Sequence, residues 1–381
     1  MSEEETVVEE TVTEETKQKF QETGRIEWYR PHVDREVLAE LSKRSDFRGF
    51  LQAGGHLLLW VCTGTLAYMA FLNISTANWA WSVPLLYVAM YAHGNVACFF
   101  GGASCHELGH RTVFKTRALN EIFLRIFAFL GWWDHVWFKP SHMKHHQHTT
   151  FHIYDGEVVL PQHMNFKDWK FWLGIFFWNW NGTRYAIKTY FRRARGIMDN
   201  EWAEFLMPEK NEALRRRHRN WARTHLIGHA LLAITFIATG HWFLIFLVNI
   251  SGQYCNVMGM LCGLPQHFGM QPDVADHRRC CRSYITRGLP AFLYWNMQYH
   301  IEHHMFPNVP LFNLPKLNKL IAHDLPPPPV GLWATWKDIM MFHRELQKDK
   351  TWYFKPEIPN DPDAEMATDT ELQQEASGAL A

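Results

Sequence analysis

FLQAGGHLLLWVCTGTLAYMAFLN, residues 50–73, contains no Asp, Glu, Lys or Arg. Wound as a helix at about 1.5 Å per residue, it is long enough to cross a hydrocarbon core of about 30 Å. After the short connection 74–78, the stretch WAWSVPLLYVAMYAHGNVACFFGG, residues 79–102, repeats the pattern. Uncharged apolar runs of this length read as membrane spans. Residues 224–239 and 241–264 form a second such pair, separated only by Gly240. The chain therefore reads as an all-α integral membrane protein with four transmembrane helices in two hairpins. A mean hydropathy of −0.25 does not oppose this, because long polar segments dilute the apolar runs.

Orientation follows from the basic residues. The block from Arg111 to Arg223 holds 19 of the 38 Lys and Arg, and the connections at 74–78 and Gly240 hold none. Positive charge stays on the cytoplasmic side, so that block and both termini are expected inside. Within it, residues 119–138 and 169–180 are aromatic and amphipathic, as helices lying in the interface plane are. Basic runs at Arg192, Arg193 and Arg195, and at Arg215, Arg216, Arg217 and Arg219, are candidates to face anionic headgroups or an acidic protein.

The remaining composition bounds the chain further. A net charge of zero gives no case for a nucleic-acid partner. The seven cysteines show no C-x-x-C pattern and read as small buried apolar residues. Acidic residues 1–25 and the Pro-containing stretch 356–381 are expected to be disordered. Between them lie a cytoplasmic pre-membrane segment (26–49), the membrane domain (50–330) and a cytoplasmic C-terminal segment (331–355).

Three histidine clusters follow the spans: His106 and His110 in HELGH, His142, His145 and His146 in HMKHH, and His300, His303 and His304 in HIEHH. Positions i, i+3 and i+4 share one helix face, so each cluster aims two or three ring nitrogens at one place. Neutral imidazole is a common ligand for iron, zinc and copper. Zinc sites use three or four protein ligands, so eight imidazoles point to two metals side by side. By chance, H-x-x-H-H is expected on the order of 0.1 times in a chain of this composition, whereas it occurs twice. HELGH alone is also the zinc-hydrolase signature, with Glu107 as base. The following Arg111-Thr112-Val113 does not continue toward a third ligand of that type, and two further clusters are surplus to it. A zinc-dependent membrane hydrolase is the minor alternative.

Other polar residues near the clusters carry weaker signals. Glu107 and Glu302 are candidates to accept hydrogen bonds from ligand rings. Asp155 and Glu157 are expected in the cap near a substrate head group. His148 and His152 read as surface residues, and His56, His93, His225, His229 and His241 as packed or interfacial.

In the order and spacing of these clusters, and in the continuation Met305-Phe306-Pro307-Asn308-Val309-Pro310, the chain resembles the membrane fatty acid desaturase and hydroxylase superfamily over residues 45–330. That resemblance implies four membrane helices under a cytoplasmic helical cap that carries the metal site. It implies two non-haem iron ions with O2 as co-substrate, since zinc passes no electrons to oxygen. It implies a ninth ligand at His267, and a supporting or water-holding residue at Asn296, four positions before His300. The substrate is expected to be a fatty acyl lipid or acyl thioester among membrane lipids. A hydroxylase, ketolase or alkane monooxygenase is the alternative on the same site. No His-Pro-Gly-Gly haem motif occurs, so a separate electron donor, cytochrome b5 or a ferredoxin, is implied. The expected location is the endoplasmic reticulum or a bacterial inner membrane, with the site on the cytoplasmic side.

Overall fold

A computed structural model describes residues 25–359. The two tails expected to be disordered lie outside the described residues, apart from their inner edges. Among the described residues all regular elements are helical, and β pairing is limited to isolated bridges at Trp178–Tyr254 and Ile285–Val330.

Helices α1 (Asp46–Leu72) and α2 (Trp79–His110) form a hairpin, and both are long and apolar enough to cross a membrane. Asn78 closes the turn between them: its Oδ1 accepts from Ser75 N at 2.9 Å and its Nδ2 donates to Asn73 O at 2.7 Å. Leu58, Val61, Leu66 and Met69 of α1 and Trp81, Leu85 and Val88 of α2 are exposed. A helix facing lipid presents such a surface. Inside the hairpin the polar groups are paired, as a low-dielectric interior demands. Trp295 Nε1 donates to His56 Nδ1 at 2.9 Å, which leaves His56 Nε2 to donate to Val96 O at 2.9 Å.

Helix α2 continues beyond the membrane-length stretch through a π-helical turn, Phe100–Cys105, into His106–His110. It stops at Arg111, whose φ of 60° is left-handed. Insertions of this kind re-aim side chains and recur at functional sites.

The second hairpin departs from expectation. Helix α7 (Glu212–Ala238) contains the third predicted span, with Ile227, Leu231, Ile234 and Ile237 exposed. The fourth, 241–264, is not one continuous helix. It breaks into a π turn (Ile245–Asn249), a 3-10 turn (Ser251–Gln253) and α8 (Val257–Gly263). Asn249, Ser251, Gly252, Gln253 and Asn256 interrupt the apolar run, and irregular backbone survives in an apolar environment only when protein groups satisfy it. Here they do. His93 Nε2 lies 2.9 Å from Leu247 O, Trp132 Nε1 donates to Asn249 O at 2.5 Å, and Cys255 N donates to Phe177 O at 2.8 Å.

The segment expected to form the cap begins with α3 (Arg117–Leu130) and α4 (His135–His148). The stretch 119–138 is split between them, because Asp134 caps α4 by accepting from Val136 N and Trp137 N, each at 3.1 Å. Helices α5 (Trp169–Phe176) and α6 (Trp180–Ala194) follow, and α6 packs along α7. Of the basic runs, Arg193 turns inward to Asp134 and Asp199, and Arg215 pairs with Glu204. Arg195, Arg216 and Arg217 stay exposed. Helices α9 (His300–Met305), α10 (Leu314–Ile321) and α11 (Leu332–Lys348) complete the cap. Residues 25–34 lie across it: Tyr29 N donates to Ala275 O at 3.0 Å, and the Arg278 guanidinium sits 3.6 Å from the Tyr29 ring centre.

A Cβ at Gly94 would stand 2.4 Å from the backbone oxygen of Tyr254, whereas one at Gly54 would meet nothing within 4 Å. Gly94→Ala is therefore expected to destabilise the protein by about 1–3 kcal/mol. The check is a lower Tm in detergent, with Gly54→Ala equal to or above the parent.

Candidate metal centre

The histidines sort by helical register. In α2, His106 and His110 are four residues apart on one face. In α4, His142 and His146 form the same kind of pair, while His145 points aside. In α9 the arrangement is mirrored: His300 and His304 pair, and His303 points aside. The result is two groups, His106, His110, His142, His146 and His303 in one, and His145, His267, His300 and His304 in the other, each with its donor atoms within 4.8 Å of one another. The i,i+4 pair of one helix thus joins the lone i+3 ring of the other. Only the first group receives the pair from α2, and His267 supplies the second with its fourth ring.

His267 follows the 3-10 turn Leu264–Gln266. Its position is fixed from both sides: Phe354 N donates to Gly269 O at 2.8 Å, and Gly269, at φ +72°, leaves no room for a Cβ against Phe342 of α11. The two groups adjoin, with the His146 and His304 rings stacked at 4.3 Å. Seven of the nine rings are buried, and His110 and His146 are half-buried.

Within each group the Nε2 atoms face one another. His142 lies 3.0 Å from both His110 and His146, and His303 lies 3.2 Å from His146. In the second group His300 is 2.8 Å from His267 and 3.1 Å from His304. Two nitrogens about 2.1 Å from one ion and at right angles to each other are about 3.0 Å apart, so the spacing fits a shared ion. The buried Nε2 of His106 has no partner within the protein, which also fits.

The opposite edge of most rings is anchored. His142 Nδ1 meets Glu157 Oε1 at 2.7 Å, His145 Nδ1 meets Asp155 Oδ2 at 2.7 Å, and His106 Nδ1 meets Glu107 Oε1 at 3.1 Å. His267 Nδ1 donates to Cys280 O at 2.9 Å, His304 Nδ1 lies 3.2 Å from Thr149 Oγ1, and the Gln266 amide is 3.0 Å from His300 Nδ1. The carboxylate and carbonyl contacts fix the Nδ1–H tautomer and turn Nε2 inward, while the Gln266 amide donates to the His300 ring and positions it. Burial, and then neighbouring rings, hold His142, His146, His300, His303 and His304 well below the usual imidazole range, and burial takes His267 down to about 3. His145 differs. Burial opposes its charge, but Asp155 outweighs burial and raises it. Neutral rings are what a cation requires.

Four sequence expectations need correction. Asn296 does not share a helix face with His300, because α9 begins only at His300 and Asn296 sits in the turn before it at φ 55°. Its side chain donates to Leu311 O at 3.2 Å and accepts from Gln298 at 3.3 Å. Glu302 touches no ligand ring: it accepts from Ser283 Oγ at 2.5 Å and from Asn318, tying α9 to α10. His148 is buried, and His152 is held by Asp273 and Leu160 O, so neither is a free surface histidine. Glu107 does meet a ligand ring, and its Oε1 also lies 3.6 Å from His303 Nδ1.

Asp155 and Glu157 are the residues sequence reading misplaced: both back rings of the two histidine groups. The available signal was an acidic pair on a glycine turn soon after H-x-x-H-H, in Tyr154-Asp155-Gly156-Glu157. The turn folds back because Asp155 Oδ1 accepts from Glu157 N at 2.9 Å and from Val158 N at 3.2 Å.

Comparison with known proteins agrees with the resemblance. A family model described as fatty acid desaturase matches residues 79–336. The chain is 26% identical over 311 residues to a sphingolipid delta(4)-desaturase DES1 of Gallus gallus, covering 78% of this chain and 84% of that one. The Homo sapiens DES1 is 24% identical over 310 residues with the same coverage. A delta(5) fatty acid desaturase, fat-4 of Caenorhabditis elegans, is 22% identical over 250 residues, covering 57% of this chain and 53% of its own length.

Asp155→Asn and Glu157→Gln are each expected to weaken metal affinity about 10- to 100-fold while the fold is kept. Metal content after dialysis against graded chelator is the check, and Asn296→Ala, whose side chain bonds Leu311 O and Gln298 rather than a ring, is expected to match the parent.

Proposed function

The chain belongs to the fatty acid desaturase family, and from that premise we propose that it is a membrane-bound, oxygen-dependent acyl desaturase whose nine histidines hold two iron ions. The observation that carries this reading is the division of nine rings into adjoining groups of five and four. A pair of irons held there supplies the reduction of O2 and the oxidation of an unactivated methylene chain. The polypeptide supplies the rest. Glu107, Asp155, Glu157, Gln266, Thr149 and the Cys280 carbonyl orient the rings, and burial favours the neutral form and keeps water at a distance.

A cavity of about 260 Å³ lies beside the π-helical turn that leads into His106, lined by Gly101, Gly102, Gly131, Trp132, Trp133 and Asn256 among others. Gly102 lies one helical turn before His106, and a Cβ there would meet nothing within 4 Å. We assign this space to the lipid chain, apolar along its tryptophan wall and polar at Asn256. The substrate is then a long-chain lipid of sphingolipid or fatty acyl type, the classes on which the named relatives act.

The hydrolase alternative loses its base. Glu107 stands behind the His106 ring at Nδ1, whereas an H-E-x-x-H hydrolase needs that carboxylate beside the water on the metal. Electrons come from a separate donor, cytochrome b5 or a ferredoxin, and exposed Arg195, Arg216 and Arg217 offer an acidic partner its complement. The site faces the cytoplasm from the endoplasmic reticulum or a bacterial inner membrane.

Expression in a heterologous host, followed by lipid mass spectrometry, tests this. A product two hydrogens lighter than a host lipid, with about two iron per chain, is expected. A product gaining one oxygen would transfer the assignment to a hydroxylase, and a single zinc would return it to a hydrolase. Alanine at any one of the nine ligand positions is expected to abolish turnover. Gly102→Leu, which fills the cavity, should shift the product spectrum toward shorter chains without loss of iron.

A further inference from the structure

Against the second histidine group lies another set of donors that the desaturase reading leaves unused. His277, Cys281 and His304 each place a donor atom within 4.8 Å of the others. His277 and Cys281 are fully buried, and His304 is 1% exposed. They converge because the short helix His277–Cys280, capped at its start by Asp276, packs against α9. His277 and Cys281 stand four residues apart, joined by the bond from Cys281 N to His277 O at 3.0 Å.

A second sulfur is near. Cys280 Sγ lies 3.8 Å from Cys281 Sγ and 4.0 Å from His277 Nδ1. His277 Nε2 is buried without a protein partner. On the outer side the Trp28 indole stacks on the His277 ring at 3.9 Å and 22°, and its Nε1 donates to Gln147 O at 3.0 Å. The donors are buried, and they are sulfur and imidazole.

That donor set differs from the all-imidazole groups beside it. Thiolate with imidazole is the preference of thiophilic divalent ions, zinc above all, held in a closed four-donor shell. We propose that His277, Cys281 and His304, with Cys280 alongside, form a third cation site of zinc type. Binding forms a sulfur–metal bond and releases the Cys281 thiol proton to solvent, and no electron is transferred. His304 belongs to this site and to the second histidine group at once. Its Nε2 faces His300 at 3.1 Å, while its Nδ1 is 3.2 Å from Thr149 Oγ1. The cation site rests on its own donors and not on the iron reading of the second group.

Co(II) alone, titrated into the purified iron-loaded protein, is the test. A bound equivalent with sulfur-to-cobalt charge-transfer absorption in the near ultraviolet is expected. The band should vanish in Cys281→Ser and weaken in His277→Gln, with iron per chain unchanged in both. No band in the parent protein, or a band of full intensity in Cys281→Ser, overturns the site. If either variant fails to accumulate, the parent spectrum still decides, since its donor signature is present or absent on its own. A band in a protein that makes no desaturated lipid would support this site while removing the desaturase assignment.

Discussion

Nine imidazoles brought together with their Nε2 edges facing one another are the constraint on which the rest of the structure depends. Neutral rings at such spacing present lone pairs to lone pairs in a medium that screens them poorly. Nothing in the packing of flat rings chooses that orientation unless the far edge is held. Here Nδ1 is held by carboxylates at His106, His142 and His145, by a backbone carbonyl at His267, and by neutral side chains at His300 and His304. Leaving a buried polar group without a partner costs about 1–3 kcal/mol, so a cation that satisfies several at once stabilises the fold as well as equipping it.

The anchors explain features of the chain that otherwise look unrelated. The loop after α4 doubles back at Gly156 so that Asp155 and Glu157 reach rings ten and fifteen residues behind them. Cys280 lies in the segment that both terminal regions hold down. Residues 25–34 grip it from one side through Tyr29 and Arg278, and α11 fixes the His267 loop from the other through Phe342 and Gly269. These segments act as braces that orient the rings.

What the sequence shows plainly is what local periodicity encodes. Spacings of three and four place the rings, and uncharged runs of membrane length mark α1 and α2. The split of each H-x-x-H-H cluster between two groups was not legible, since it depends on how α4 faces α9. Nor was the break in 241–264, where a hydropathic average hides Asn249, Gln253 and Asn256, each needing a partner from a distant part of the chain. Asn296 shows the opposite case: it stands four positions before His300, but in a turn that helical geometry does not reach. Glu302 and Asp155 differ only in what lies opposite them, and that is tertiary information.

One consequence of α2 is mechanical. The rod that is long and apolar enough to cross a bilayer carries His106 and His110 on its last turn, with only a π-helical turn and no flexible linker between them. A helix whose apolar length exceeds the local hydrocarbon thickness tilts to match it. Any tilt of this rod acts through a lever ending on two rings of one group and none of the other. In a bilayer, a change of tilt would thus reach the five-ring group directly and the four-ring group only through its neighbours.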